Sequence, residues 1–158
     1  MDKAIGKKDY EVVYLSAGDT LPLDGGKLSV LGPREKSGLE NCNSLVLLAE
    51  GGGGSILLTG DMEILEEESL LKAGLIPRAD VMKIGNHGEG DATSEALVRA
   101  VQPSLAVIST NSDDEPDTPD PRVIRLLARW NIPVMVTQDA KTGILITVRN
   151  GEILYELK

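Results

Sequence analysis

The sequence predicts an α/β fold, a mixed β-sheet with flanking helices. Three observations carry that expectation. An apolar run, Ile56-Leu57-Leu58-Thr59, ends in Gly60-Asp61, which reads as a buried strand with a carboxylate at its tip. An acidic helical stretch follows over residues 62–73. A second apolar run over residues 79–84 then delivers the only histidine, His87, in the same way. A strand, a helix and a strand at this spacing make a right-handed crossover with the two strands parallel in one sheet.

Residues 1–10 are polar and unpatterned and read as a loose leader to a single domain over 11–158. Short strands are expected over 11–15 and 20–23, and Asp24-Gly25-Gly26 makes a tight turn into a strand over 27–31, the opening of a β-meander. Residues 32–40 read as a loop. Apolar runs over 44–50 and 55–58 flank Gly51-Gly52-Gly53-Gly54, so these glycines read as a hairpin connection between adjacent strands rather than a linker. No Gly-Lys-Ser/Thr follows them, which argues against a phosphate cradle.

In the helix over 62–73, Ile64, Leu65, Leu71 and Leu75 fall on one side and Glu63, Glu66, Glu67 and Glu68 mostly on the other, and Gly74 with Pro77 ends it. After His87 a loop leads to a helix that Thr93 can cap, with Ala96, Leu97, Ala100 and Val101 as its buried stripe. Residues 105–109 read as a central strand, and 111–119 as an acidic, proline-broken loop at its carboxyl end. Asp120 at the N-cap and Pro121 at the first helical position open the next helix, with Val123, Ile124, Leu127 and Ala128 inward and Arg122, Arg125 and Arg129 outward. A strand over 133–137 and a terminal hairpin around Asn150-Gly151, a type I′ signal, complete the chain.

Size and composition exclude several functions. A chain of 158 residues buries roughly 68–70% of its unfolded surface, enough for a core. No run approaches the roughly 18 apolar residues of a membrane span, and the charged start is followed by no apolar stretch, so neither a transmembrane segment nor a signal peptide is expected and the chain reads as soluble. A net charge of −9 argues against gripping nucleic acid with the surface as a whole. The four aromatics, Tyr10, Tyr14, Trp130 and Tyr155, are too scattered for a base-stacking platform. The single cysteine, Cys42, excludes an internal disulfide and reads as a small buried or turn residue rather than a nucleophile.

The candidate chemistry therefore rests on Asp61 and His87, both at the carboxyl ends of strands where ligands gather in α/β sheets. Each has two readings. Asp61 is either a metal ligand or the cap of the helix that follows, where the helix dipole favours a carboxylate. His87 is either a ligand or a hydrogen-bonding loop residue. A catalytic zinc takes three protein ligands plus water, and this chain offers one imidazole and one aspartate there. Asn86 and Asp113 stand as further residues at the edge of that site. The acidic loop with Asp113, Asp114, Glu115 and Asp117 lacks the spacing of a calcium loop and reads as solvated. No Gly-x-Ser-x-Gly elbow supports a serine triad.

The run Leu57-Leu58-Thr59-Gly60-Asp61 and the run from Arg78 through Val81-Met82-Lys83-Ile84-Gly85-Asn86-His87-Gly88 resemble the later half of the metallo-β-lactamase-like domain of ComEC-type DNA-uptake proteins. Leu28-Ser29-Val30-Leu31-Gly32-Pro33, Asn41-Cys42-Asn43-Ser44-Leu45, Pro119-Asp120-Pro121 and Thr137-Gln138-Asp139 extend the resemblance to both sides. It implies one half of an αββα sandwich, with Asp61 and His87 as ligands of zinc or manganese and DNA phosphodiesters as the substrate class. It also implies a membrane-associated parent protein. Two departures stand out: the histidine-rich cluster that supplies most of that family's ligands is absent, and the first histidine of its His-His-Gly triplet is Asn86. These imply a partial, degenerate hydrolase domain, inactive as an isolated chain and with the metal weakly held or missing. The alternative is a non-catalytic binding or assembly module. The uncovered inner sheet face implies a homodimer or a missing N-terminal half of the domain as partner.

Overall fold

A computed structural model describes residues 12–35, 38 and 41–158; the expected leader over 1–10 and the side chain of Cys42 lie outside the described residues. Strands β1 (Thr20–Leu23), β2 (Gly26–Gly32), β3 (Val46–Gly51), β4 (Gly54–Leu58), β5 (Val81–Lys83), β6 (Leu105–Ile108) and β7 (Val134–Val136) form one seven-stranded sheet in chain order. Pairing is antiparallel from β1 to β4 and parallel from β4 to β7. Helices α1 (Ile64–Lys72), α2 (Glu95–Val101) and α3 (Pro121–Arg129) make the three parallel crossovers. Right-handed crossovers that advance in one direction put their helices on one face, and the core lies between that face and the helices. Leu48, Leu57, Met82, Ala106 and Ile108 of the sheet meet Leu70, Leu97, Val98, Val123 and Leu127 there.

The hairpin β8 (Ile144–Arg149) and β9 (Glu152–Leu157) is a separate two-stranded sheet. It lies against the opposite face. Ala49, Ile56 and Val148 line a cleft at one end of this contact, and Leu105, Met135, Tyr155 and Leu157 line one at the other. The turn between β3 and β4 is only Gly52-Gly53, with φ of +59° and +76°, the mirror-image turn that matches strand twist. Asn150 donates its backbone N–H to Gly52 O at 3.0 Å, so two hairpin tips meet. Gly54 lets the sheets approach, because a Cβ there would stand 2.4 Å from Val148 Cγ1. The hairpin leaves part of this face uncovered, with Leu58 36% exposed and Leu47 and Val107 half-buried.

Several elements differ from the sequence reading. Residues 12–15 form no strand, and β2 continues through Gly32 into the expected loop. The phase of α1 is turned: Leu65 is 59% exposed, while Glu66 and Glu67 are buried with Leu70. Met62, fully buried just before the helix, occupies a core position outside it, so the helical frame begins two residues later than expected. Glu63 is the N-cap, and Asp61 does not cap α1. In α2 the cap is Ser94 rather than Thr93, its Oγ accepting from Leu97 N at 3.1 Å, and the buried stripe is Leu97, Val98 and Val101. In α3 the cap is Asp120 as expected, and Val123, Leu126 and Leu127 are its buried residues while Ala128 is exposed.

Candidate functional site

Adjacent parallel strands end side by side, so the turns after β4 and β5 meet. Asn86 donates its backbone N–H to Gly60 O at 3.2 Å, and Lys83 Nζ reaches the same carbonyl at 3.1 Å. Thr59 Oγ1 donates to Lys83 O at 2.7 Å and ties the two strand ends together. Asn86 and His87 both take positive φ, +42° and +54°, in the short 3-10 turn Asn86–Gly88. That turn swings the imidazole toward Asp61.

His87 Nδ1 lies 2.7 Å from Ser109 O. A carbonyl can only accept, so Nδ1 carries a proton, and when the ring is neutral Nε2 is its free nitrogen. Nε2 faces Asp61 Oδ1 at 3.5 Å. Two acceptors pointed at each other repel unless a proton or metal cation stands between them. A ring fixed through Nδ1 with Nε2 offered outward is the outer-shell arrangement that orients a metal-ligating histidine.

The loop after β6 supplies Glu115, whose Oε2 lies 3.4 Å from His87 Nδ1 and accepts from Thr110 Oγ1 at 3.2 Å. Glu115 therefore sits at the opposite nitrogen from Asp61, and one ion cannot meet both carboxylates and the ring. Asp113 stays apart, exposed, its backbone N–H bonded to Asn111 Oδ1 at 3.2 Å. The Asn86 side chain turns away from the pair and donates to Glu89 Oε2 at 3.3 Å and Asp91 Oδ1 at 3.5 Å. The amine of Lys83 also donates to Ile84 O at 3.0 Å; burial lowers its pKa, and the charge of Asp61 opposes that shift.

Two of the four residues singled out in the sequence thus come together. Glu115 lies in the acidic loop that reads as solvated from the sequence, although that loop follows the strand beside the His87 strand. Lys83 had a visible signal, a lone lysine within an apolar strand. Ser109 acts through its backbone and had none. Zinc and manganese need three or four donors, and among the described residues no three His, Cys, Asp or Glu side chains converge on one point. Asp61 and His87 fit a ligand pair and do not complete a metal centre.

The fold and the site define a mixed α/β chain that presents a His–Asp pair at the carboxyl ends of parallel strands. The chain is homologous to a segment of competence proteins of the ComEC family. It is 34% identical over 157 residues to ComE operon protein 3 of Bacillus subtilis (strain 168), a match that covers 99% of this chain and 19% of that protein. It is 31% identical over 122 residues to Recombination protein 2 of Haemophilus influenzae, covering 77% of this chain and 15% of that protein. It is 36% identical over 89 residues to Competence protein ComA of Neisseria gonorrhoeae, covering 55% of this chain and 13% of that protein. The chain spans less than a fifth of the length of each. No family model matches it. Among the described residues no helix is long and apolar enough to cross a membrane.

Proposed function

We propose that this chain is a partial metallo-β-lactamase-like domain of a ComEC-like DNA-uptake protein, one half of an αββα sandwich that carries Asp61 and His87 as a surviving ligand pair for zinc or manganese. The supporting observation is the 3.5 Å approach of Asp61 Oδ1 to His87 Nε2, a spacing that two ligands of one ion can share and that a metal cation or a proton between them would make favourable. With two donors, the chain has no hydrolytic activity by itself. Activity toward DNA phosphodiesters needs further ligands, brought by the N-terminal half of such a domain against the sheet face that Leu47 and Leu58 leave partly open. A second copy of the chain on that face is the other occupant the reading admits. The parent protein would be membrane-associated.

A second reading has its own observation. Glu115 binds the far side of the imidazole, so His87 is bracketed by carboxylates on both nitrogens. A protonated imidazole held this way is a structural clasp between strand ends, and the chain is then a non-catalytic binding or assembly module.

Elemental analysis after equilibration with zinc or manganese separates the two. Bound metal that is lost in both Asp61→Ala and His87→Ala supports the ligand pair. Absence of metal in all three proteins removes the metal-binding reading for this chain and leaves the module.

A further inference from the structure

The turn that carries His87 is followed by residues 89–94, a segment without regular structure that runs to the cap of α2. Several backbone groups of residues 88–94 are held by side chains or backbone groups of other elements. Arg122, in the first turn of α3, donates Nε to Gly90 O at 3.0 Å and Nη1 to Thr93 O at 3.1 Å, and its Nη2 bonds Ala92 O. From the opposite side Glu67 of α1 accepts Thr93 N at 2.5 Å and Ser94 N at 2.8 Å. Asp120 donates its backbone N–H to Gly88 O at 2.8 Å, and Asp91 O accepts from Ile64 N at 2.9 Å. The guanidinium thus takes the carbonyls and the carboxylate takes the amides of one stretch of chain. Thr93 sits fully buried in this grip at φ +59°, a conformation costly for a β-branched residue that persists only where its surroundings impose it.

We propose that Arg122, opposed by Glu67, is the positioning residue of the Asp61–His87 pair: its three-pronged hold on residues 90–93 fixes the mount from which the imidazole is aimed. Arg122 touches neither side chain of the pair. It acts through the backbone: the planar guanidinium presents donors on three separate nitrogens to three spaced carbonyls, a fixed fork that an ammonium, with its donors on one atom, does not reproduce. The proposal rests on the reading of Asp61 and His87 as the functional pair, although the mount itself can be tested without metal.

His87 is the only histidine, so its ring nitrogens can be observed singly by 15N NMR. At a pH where the ring is neutral, the wild-type chain should show one Nδ1–H species, fixed by Ser109 O, and slow exchange of the Thr93 and Ser94 amides. Arg122→Ala should lose the single species to a mixture of tautomers and speed exchange at both amides. Arg122→Lys, which keeps the charge and loses the fork, should fall between them. Arg129→Ala removes a different contact of α3 with α2, the 3.2 Å pair with Glu95, and should leave the ring signature unchanged. If Arg122→Ala does not fold, Arg122→Lys and Glu67→Gln carry the test. A wild-type ring signature in the folded Arg122 variants, or an equal change in Arg129→Ala, would overturn the proposal. Metal content of the wild type and of the Asp61 and His87 variants is read separately, so loss of the metal reading leaves the NMR result standing.

Discussion

Among the described residues, no hydrogen-bond donor reaches the Glu66 carboxylate. Both oxygens are buried, and Oε1 would stand 2.9 Å from a Cβ at Gly32. Burial raises its pKa from 4.5 to about 7. Below pH 4.5 both the folded and unfolded chains hold the proton and the group contributes nothing. Between 4.5 and 7 the unfolded chain releases the proton while the folded chain keeps it, so stability falls as pH rises and the loss is complete above 7. The shift corresponds to a ceiling on the order of 3 kcal/mol. Glu66→Gln should therefore match wild type near pH 4 and exceed it at pH 8, with a melting temperature higher by at most about 6–12 °C in that range; equal differences at both pH values would refute this account. Glu67 is also raised by burial, but the Ser94 and Thr93 donors and the charge of Arg122 oppose the shift. One helix therefore carries an unsatisfied acid beside a fully engaged one. At this scale the sequence was partly legible. Asp61 and His87 stood out because strand tips are visible in a pattern of apolar runs. Glu67 and Arg122 did not, because their partners are backbone groups 26 to 32 positions away.

Between elements, the terminal hairpin depends on glycine. Gly54→Ala would drive a methyl into Val148, and overpacking of this kind costs about 1–3 kcal/mol. Amide exchange over residues 144–157 should rise while the buried amides of α2 and α3 keep their protection; uniform loss of protection would show that the hairpin is not a separable layer. The α2 cap gives a second prediction. Ser94→Ala should cost about 0.5–2 kcal/mol in denaturant unfolding, and Thr93→Ala should not reproduce a cap loss, since Thr93 Oγ1 has no hydrogen-bond partner among the described residues. Turn chemistry made most elements readable: Asn150-Gly151, Asp120-Pro121 and the glycines at 51–54 mark their ends. The face of α1 was not readable. Its glutamates look solvent-facing by periodicity, and only the tertiary need to hold the α2 start turns Glu67 inward.

For the whole molecule, the sheet has one face closed by helices and one only partly closed by β8 and β9. An apolar face left partly open should bind a hydrophobic dye or associate at high concentration. Leu58→Lys, which charges that surface at a 36% exposed position, should weaken either effect in dye titration or sedimentation, and an unchanged response would place the sticky surface elsewhere. The mixed α/β class was legible because hairpins and crossovers each fix a local neighbour. The docking of the last hairpin was not, because it depends on a meeting of tips, Gly52 with Asn150, that no local pattern encodes.

The order of strands in the large sheet is the order of the chain, β1 to β7 without a skip. No strand has to wait for a later one to arrive and wedge between two already joined. During synthesis each new strand up to β7 can be laid on the edge left by its predecessor, so through residue 136 the growing end of the polypeptide is also the growing end of the sheet, and a stalled ribosome would leave a shorter sheet rather than a gapped one.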